Sequence, residues 1–110
     1  MVLMIRSVLD DEEVDVTCYG RFYDRMVKHE GAWCILERRC IYEKARLDPV
    51  RSGAVKVLDQ ALLKRFPEGY QHVAYVQSKI GMKVLEDLVV LRSPAREQLY
   101  RDGTVWLETP

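Results

Sequence analysis

Two long β-forming runs that flank a single glycine turn constrain this chain more than any other feature. From Val14 to Lys28, the residues Val14, Val16, Tyr19, Phe22, Tyr23, Met26 and Val27 supply the β-branched, aromatic and flexible apolar side chains that suit a pleated surface. Gly20 interrupts this run and marks either a bulge or a close backbone approach. His29-Glu30-Gly31 reads as a hairpin turn, with Gly31 supplying the positive φ that such turns need. The return strand runs from Ala32 to about Arg46. Strict alternation puts Trp33, Ile35, Glu37, Arg39 and Ile41 on one face and Cys34, Leu36, Arg38, Cys40 and Tyr42 on the other. Both faces are partly apolar, so each is expected to be at least partly covered. The charges at Glu37, Arg38 and Arg39 need partners, because an unpaired buried charge is costly. Asp24 and Arg25 on the facing strand are the natural candidates.

The flanks complete an α+β pattern. Met1 to Val8 is a short apolar run with β-branched members, predicted to be a buried strand. It starts as though in mid-strand, which raises the expectation that something upstream is missing. Asp10, Asp11, Glu12, Glu13 and Asp15 form an acidic turn that lacks the glycine a calcium-type loop uses for its sharp bend. Pro49 ends the sheet, since proline cannot donate to a ladder. Beyond it the spacing turns helical. Val55, Leu58, Leu62 and Phe66 predict one helix, and a second starts at Pro67-Glu68, carries Tyr70, Val73, Val76 and Ile80, and stops at Gly81. Ser93-Pro94 caps a third, short helix that Gly103 is expected to close. The reading is one domain: residues 1–48 an antiparallel sheet, residues 49–110 a helical extension of it.

A chain of 110 residues can build one core without staples. Its 17 basic and 17 acidic residues balance, which removes the usual electrostatic case for nucleic acid or an anionic membrane. No apolar run reaches the length of a membrane span. The three cysteines, Cys18, Cys34 and Cys40, form no Cys-x-x-Cys pair, and since the first residues show neither a charged region nor a small-residue cleavage site, no secretory leader is expected. They read as reduced, buried thiols in a cytoplasmic protein.

Little in the sequence points to chemistry. His29 falls in the hairpin turn, and His72 lies on a helix beside the Tyr70–Val73 stripe as a surface or boundary residue. Neither has a carboxylate spaced to orient it as a base. There is no metal-ligand spacing, phosphate loop or nucleophile elbow, so no cofactor, metal or catalytic residue is assigned. Arg38 shares the predicted face of Cys34 and Cys40, which allows a modest lowering of a thiol pKa. Tyr19, Phe22, Tyr23, Trp33 and Tyr42 pack the sheet or line an apolar small-molecule pocket, and a curved sheet can do both.

The run Tyr19-Gly20-Arg21-Phe22-Tyr23-Asp24-Arg25-Met26-Val27-Lys28-His29-Glu30-Gly31-Ala32-Trp33-Cys34-Ile35-Leu36-Glu37-Arg38-Arg39 resembles the last hairpin of SnoaL-like domains in the nuclear transport factor 2-like superfamily. Residues 66–77 and 99–107 resemble the C-terminal extension of a bacterial branch of that family. The resemblance implies a cone-like curved sheet wrapped around helices with a pocket between them. The family includes dehydratases, dehydrochlorinases, cyclases and isomerases, together with non-catalytic binding domains. Its scytalone dehydratase and lindane dehydrochlorinase branch uses an Asp–His pair that lies before the region matched here, so the chain reads as N-terminally truncated. The implied pocket wall is Phe22, Asp24, Leu36, Arg38, Cys40 and Tyr42, with Arg39 replacing Arg38 if the strand carries a bulge.

The expected function is therefore a SnoaL-like domain that binds a small apolar ligand and is not catalytic alone. The alternative is a non-catalytic homodimeric assembly module or accessory subunit of the same fold. A sheet face stripped of its usual cover is a large apolar patch, so either the C-terminal helices fold back over it or an oligomer buries it, and a homo-oligomer is expected.

Overall fold

A computed structural model describes residues 1–109. Three antiparallel strands in the order β1-β2-β3 are followed by short helical elements. β1 spans Val2–Leu9, β2 spans Glu12–His29 and β3 spans Ala32–Pro49. Asp10 and Asp11 both take positive φ (50° and 62°), as do Glu30 (50°) and Gly31 (83°). These are the left-handed pairs of tight two-residue hairpins, whose twist matches that of the strands they join. The fold is α+β with an open sheet.

The β2–β3 register is set by two irregularities. His29 faces Ala32 and Met26 faces Ile35, but Arg25 faces Glu37, so Leu36 is an extra residue on β3. Gly20 faces Tyr42 while Tyr19 faces Lys44, so Glu43 is a second. Each bulge flips the side-chain parity of β3. Trp33 and Ile35 therefore lie on the opposite face from Glu37, Arg39 and Ile41, which corrects the single-face alternation expected from the sequence. Gly20 fulfils both of its expected roles: it sits at a register shift, and an added Cβ would come within 2.6 Å of the Ile41 carbonyl oxygen.

The core lies where the first half of β2 meets the helical segment. Leu9, Val14 and Val16 pack with Leu63, Phe66, Tyr70, Ala74, Tyr75 and Val76. Burying a side chain of this kind stabilises the fold by about 1.5–3 kcal/mol. The expected first helix shrinks to α1, Gln60–Leu63, because the Asp59 carboxylate caps it by accepting from the N–H groups of Ala61 and Leu62. Upstream, Val55 and Val57 are more than four-fifths exposed, and Lys56 reaches back to the first hairpin. Its ammonium donates to the Leu9 carbonyl (3.2 Å) and lies near Asp10 (3.5 Å) and Glu12 (3.7 Å), so part of the acidic turn is neutralised from within the chain. A 3-10 turn, Glu68–Tyr70, leads into α2, Gln71–Lys79, which stops at Gly81 (φ 83°) as expected.

α3 runs from Pro94 to Glu108, with Ser93 accepting from the Arg96 N–H as its cap. Gly103 does not close it. An added Cβ there would overlap the Tyr23 hydroxyl, so this glycine permits close approach between helix and sheet. Tyr100 stacks against Tyr23 at 5.0 Å, and the Arg25 guanidinium lies 5.6 Å from the Trp106 ring centroid. α3 thus packs on the sheet face that carries Tyr23 and Arg25.

Two further expectations change. β1 is an exposed edge strand and not a buried one: Val2, Leu3, Met4, Ile5 and Val8 are all exposed. Of the three thiols Cys18 is buried and Cys40 half-buried, but Cys34 is exposed. The radius of gyration is 17.3 Å. A compact domain of this size has a value of about 13 Å. The long β2–β3 hairpin accounts for the excess by extending past the core.

Replacing Gly103 by Ala tests the helix–sheet contact. Alanine favours a helix over glycine by about 1 kcal/mol. Overpacking against Tyr23 is nevertheless expected to leave a net loss of about 1–2 kcal/mol. Tyr23→Phe in the same chain should recover part of that loss in a urea denaturation cycle.

Candidate functional site: the open face of the hairpin

Parity along β2 and β3 gathers Phe22, Asp24, Arg38 and Cys40 on one face, with Tyr42 opposite Gly20 at its inner end. This face continues that of Val14, Val16 and Cys18, so the inner half lies under the helical segment while the outer half does not. Phe22, Met26 and Ile35 are exposed there.

The centre of the face is one ion pair. Arg38 donates through Nε and Nη2 to the two Asp24 carboxylate oxygens, at 2.8 and 2.9 Å. Fork-to-carboxylate geometry of this kind fixes both side chains. The guanidinium also lies 4.1 Å from the Phe22 ring centroid, a cation–π contact. The hydrogen bond from Arg38 holds the Asp24 carboxyl below its usual pKa, against a smaller opposing effect of burial. Burial raises the Cys40 thiol, outweighing the hydrogen bond with Tyr42 and the chain's N-terminal charge. The bulge at Leu36 places Cys34 on the opposite face from Arg38, which corrects the shared face expected from the sequence.

The remaining expected wall residues are distributed as follows. Leu36 is the exposed bulge residue itself. Arg39 points to the other face and donates to Glu37 at 2.9 Å. Tyr42 lies 5.4 Å from the Tyr70 ring and opens onto a cleft of about 370 Å³ with Glu43, Glu68, Gly69 and Val90. That cleft is closed on one side by a parallel bridge, in which the Tyr42 N–H donates to the Val89 carbonyl and the Leu91 N–H to that of Tyr42, both at 2.9 Å. Five of the six expected residues thus share a continuous surface, but they do not form one enclosed pocket.

Chemically this surface offers an apolar ring beside a fixed ion pair, and among the described residues no histidine lies on it. His29 lies 3.9 Å from Glu30 at the exposed hairpin tip. His72 is half-buried behind β3, and its Nδ1 has no hydrogen-bond partner among the described residues. Among the described residues no group of His, Cys, Asp and Glu is arranged to hold a metal ion, and no helix is long and apolar enough to cross a membrane. The sequence reading missed a second feature: a narrow apolar slot of about 120 Å³ between β1 and α2, lined by Ile5, Ser7, Val16, Val76, Ile80 and Met82. The signal for it was present in β1, where apolar residues occupy both parities.

No family model matches the chain. Over 97% of its length it is 32% identical to a PEP2-like protein of Fusarium vanettenii. Over 94% it is 31% identical to pea pathogenicity protein 2 of the same fungus, and 32% identical to an uncharacterized protein of Emericella nidulans. The chain spans about half the length of these curated relatives: 49%, 48% and 49%.

His72 gives the fold a pH dependence. Burial lowers its pKa, against the opposing pull of the Ala45 backbone and Asp48. The folded chain therefore keeps the imidazole neutral at a pH where the unfolded chain protonates it. Its contribution is intact above the unfolded value of about 6.5 and is lost as pH falls towards the lower folded value. Thermal melts should show the midpoint dropping through this window, and His72→Gln should flatten that part of the curve. A wild-type midpoint that does not change across the window would contradict this account.

Proposed function

We propose that this chain is a SnoaL-like domain of the nuclear transport factor 2-like superfamily, and that it holds a small apolar molecule on the open face of its hairpin without catalysing a reaction by itself. The observation that carries this reading is the placement of Phe22, Asp24, Arg38 and Cys40 side by side on a half-exposed face. The aromatic ring and the neighbouring Met26 and Ile35 offer apolar contact. The Asp24–Arg38 pair offers a fixed polar edge on which guanidinium hydrogens not used by Asp24 can meet a ligand acceptor.

Further support comes from the two bulges in β3, since bulges bend a strand and increase its local twist. A bent sheet of this kind suits the cone of the superfamily. The relatives are about twice as long as the span they share with this chain, which leaves room in them for a covering layer over the same face. The absence of an oriented histidine–carboxylate pair on the face is why the reading stops at binding.

An NMR titration with anilinonaphthalene sulfonate, an apolar aromatic anion, tests the proposal. The amide signals of Phe22, Arg38 and Cys40 are expected to shift together, and Arg38→Leu should weaken binding by about tenfold, the equivalent of one lost hydrogen-bonded contact. Val105→Ser on the exposed side of α3 should leave the affinity unchanged. Saturable shifts confined to the slot around Met82, or no saturable shifts, would refute it.

A further inference from the structure

β1 is an unusual edge. It carries none of the devices that blunt an edge strand, having no proline, lysine or bulge. Its single charge, Arg6, is already neutralised by a two-point pair with Asp15, at 2.9 and 3.2 Å. The opposite edge of the sheet is protected: the outer part of β3 bears Glu37, Arg38, Arg39 and the Leu36 bulge, and Tyr42 is already paired to the 89–91 segment.

The backbone of β1 sets which groups are free. Met1 and Gly20 exchange both of their hydrogen bonds, at 2.7 and 3.0 Å. Hydrogen-bonded pairs alternate along an antiparallel ladder. Leu3, Ile5, Ser7 and Leu9 thus turn their N–H and C=O groups inward to β2, and Val2, Met4, Arg6 and Val8 turn theirs outward.

We propose that β1 pairs with β1 of a second copy of this chain, antiparallel about a two-fold axis through Ile5, joining two three-stranded sheets into one of six strands. This proposal stands apart from the small-molecule reading. The register follows from the residues. Centring on Ile5 matches Val2 with the partner's Val8 and Met4 with the partner's Arg6, so all four outward residues of each strand are used. A shift of one residue would join opposite faces of the two sheets. Centring on Arg6 would set two guanidinium groups opposite each other, and centring on Met4 would leave Val8 unpaired. The chosen register also keeps the two faces continuous. On one face the exposed Val2 and Val8 meet Val8 and Val2 of the second copy, and the exposed Met4 lies along the stem of its Arg6. On the other, the partner's Leu3 lies opposite Ser7, at the mouth of the slot lined by Ile5, Val76, Ile80 and Met82. Leu3 is itself half exposed, so in this register its aliphatic side chain is set against the apolar lining of the slot. Leu3 and the slot belong to the same chain, and this self-complementarity is what selects a second copy over an unrelated partner.

The experiment combines sedimentation with cross-linking. The wild-type chain should sediment as a dimer at micromolar concentration. Met4→Pro should give a monomer with an unchanged circular dichroism spectrum, because the N–H it removes points away from β2. In a Cys34→Ser background, Ile5→Cys should form an intermolecular disulfide under mild oxidation. Residues facing across a non-hydrogen-bonded pair have Cα atoms about 4.5 Å apart, within disulfide range. Met4→Cys, which faces the partner's Arg6, should cross-link far less. If Met4→Pro fails to fold, the two cysteine variants still decide the register. A wild-type monomer, or a dimer in which Met4→Cys cross-links as well as Ile5→Cys, would overturn the proposal.

Discussion

The bulge at Leu36 is the feature on which the hairpin depends. Counting back from the Glu30-Gly31 turn without it, Asp24 would face Glu37 and Tyr23 would face Arg38. One extra residue on β3 changes this to Asp24 facing Arg38 and Arg25 facing Glu37. A like-charge opposition, which destabilises a cross-strand site, becomes two opposite-charge pairs. The Asp24–Arg38 pair closes with two hydrogen bonds, and the Arg25–Glu37 pair is looser at 3.8 Å. In each pair one side chain still reaches solvent, Arg38 in the first and Glu37 in the second, so solvent screens the attraction and the main effect is on register.

The second bulge does for the core what the first does for the charges. Without Glu43 as an extra residue, Val16 would face Arg46 and Cys18 would face Lys44. With it, Val16 faces Leu47 and Cys18 faces Ala45, on the face that packs under Tyr70, Ala74 and Val76. The long hairpin is thus adjusted twice, once for charge and once for burial. The same arrangement leaves its outer face open, since α2 covers the inner half of that face and α3 lies on the other side, held by Tyr23 and Arg25. The proposed binding face and the proposed pairing edge both belong to a sheet that the helices cover only in part.

Much of this was legible in the residues. The strands, both turns, the special character of Gly20, the stop at Gly81 and the choice of Asp24 and Arg25 as partners of the charged stretch all follow from local chemistry. The bulges are harder to read, because period-two alternation carries no mark of an inserted residue. The available clue was electrostatic: a straight hairpin would have opposed Asp24 and Glu37. Gly103 misled for a related reason. A glycine near a helix end usually stops it, and only the Tyr23 hydroxyl shows that this one serves close packing. β1 read as buried because composition shows that a strand is apolar and not whether anything covers it. The resemblance named Phe22, Asp24, Arg38, Cys40 and Tyr42 together, but straight alternation would have set Asp24 and Arg38 on opposite faces, and only the bulge at Leu36 brings them to one face and sends Arg39 and Cys34 to the other.

Cross-strand nuclear Overhauser contacts along β2 and β3 test the register most directly. The structure requires Asp24 to contact Arg38, Phe22 to contact Cys40 and Val16 to contact Leu47. A straight hairpin would instead show Asp24 against Glu37 and Val16 against Ala45. The first pattern would establish the open face as described, and the second would dissolve the grouping of Phe22, Asp24, Arg38 and Cys40 on which the account rests.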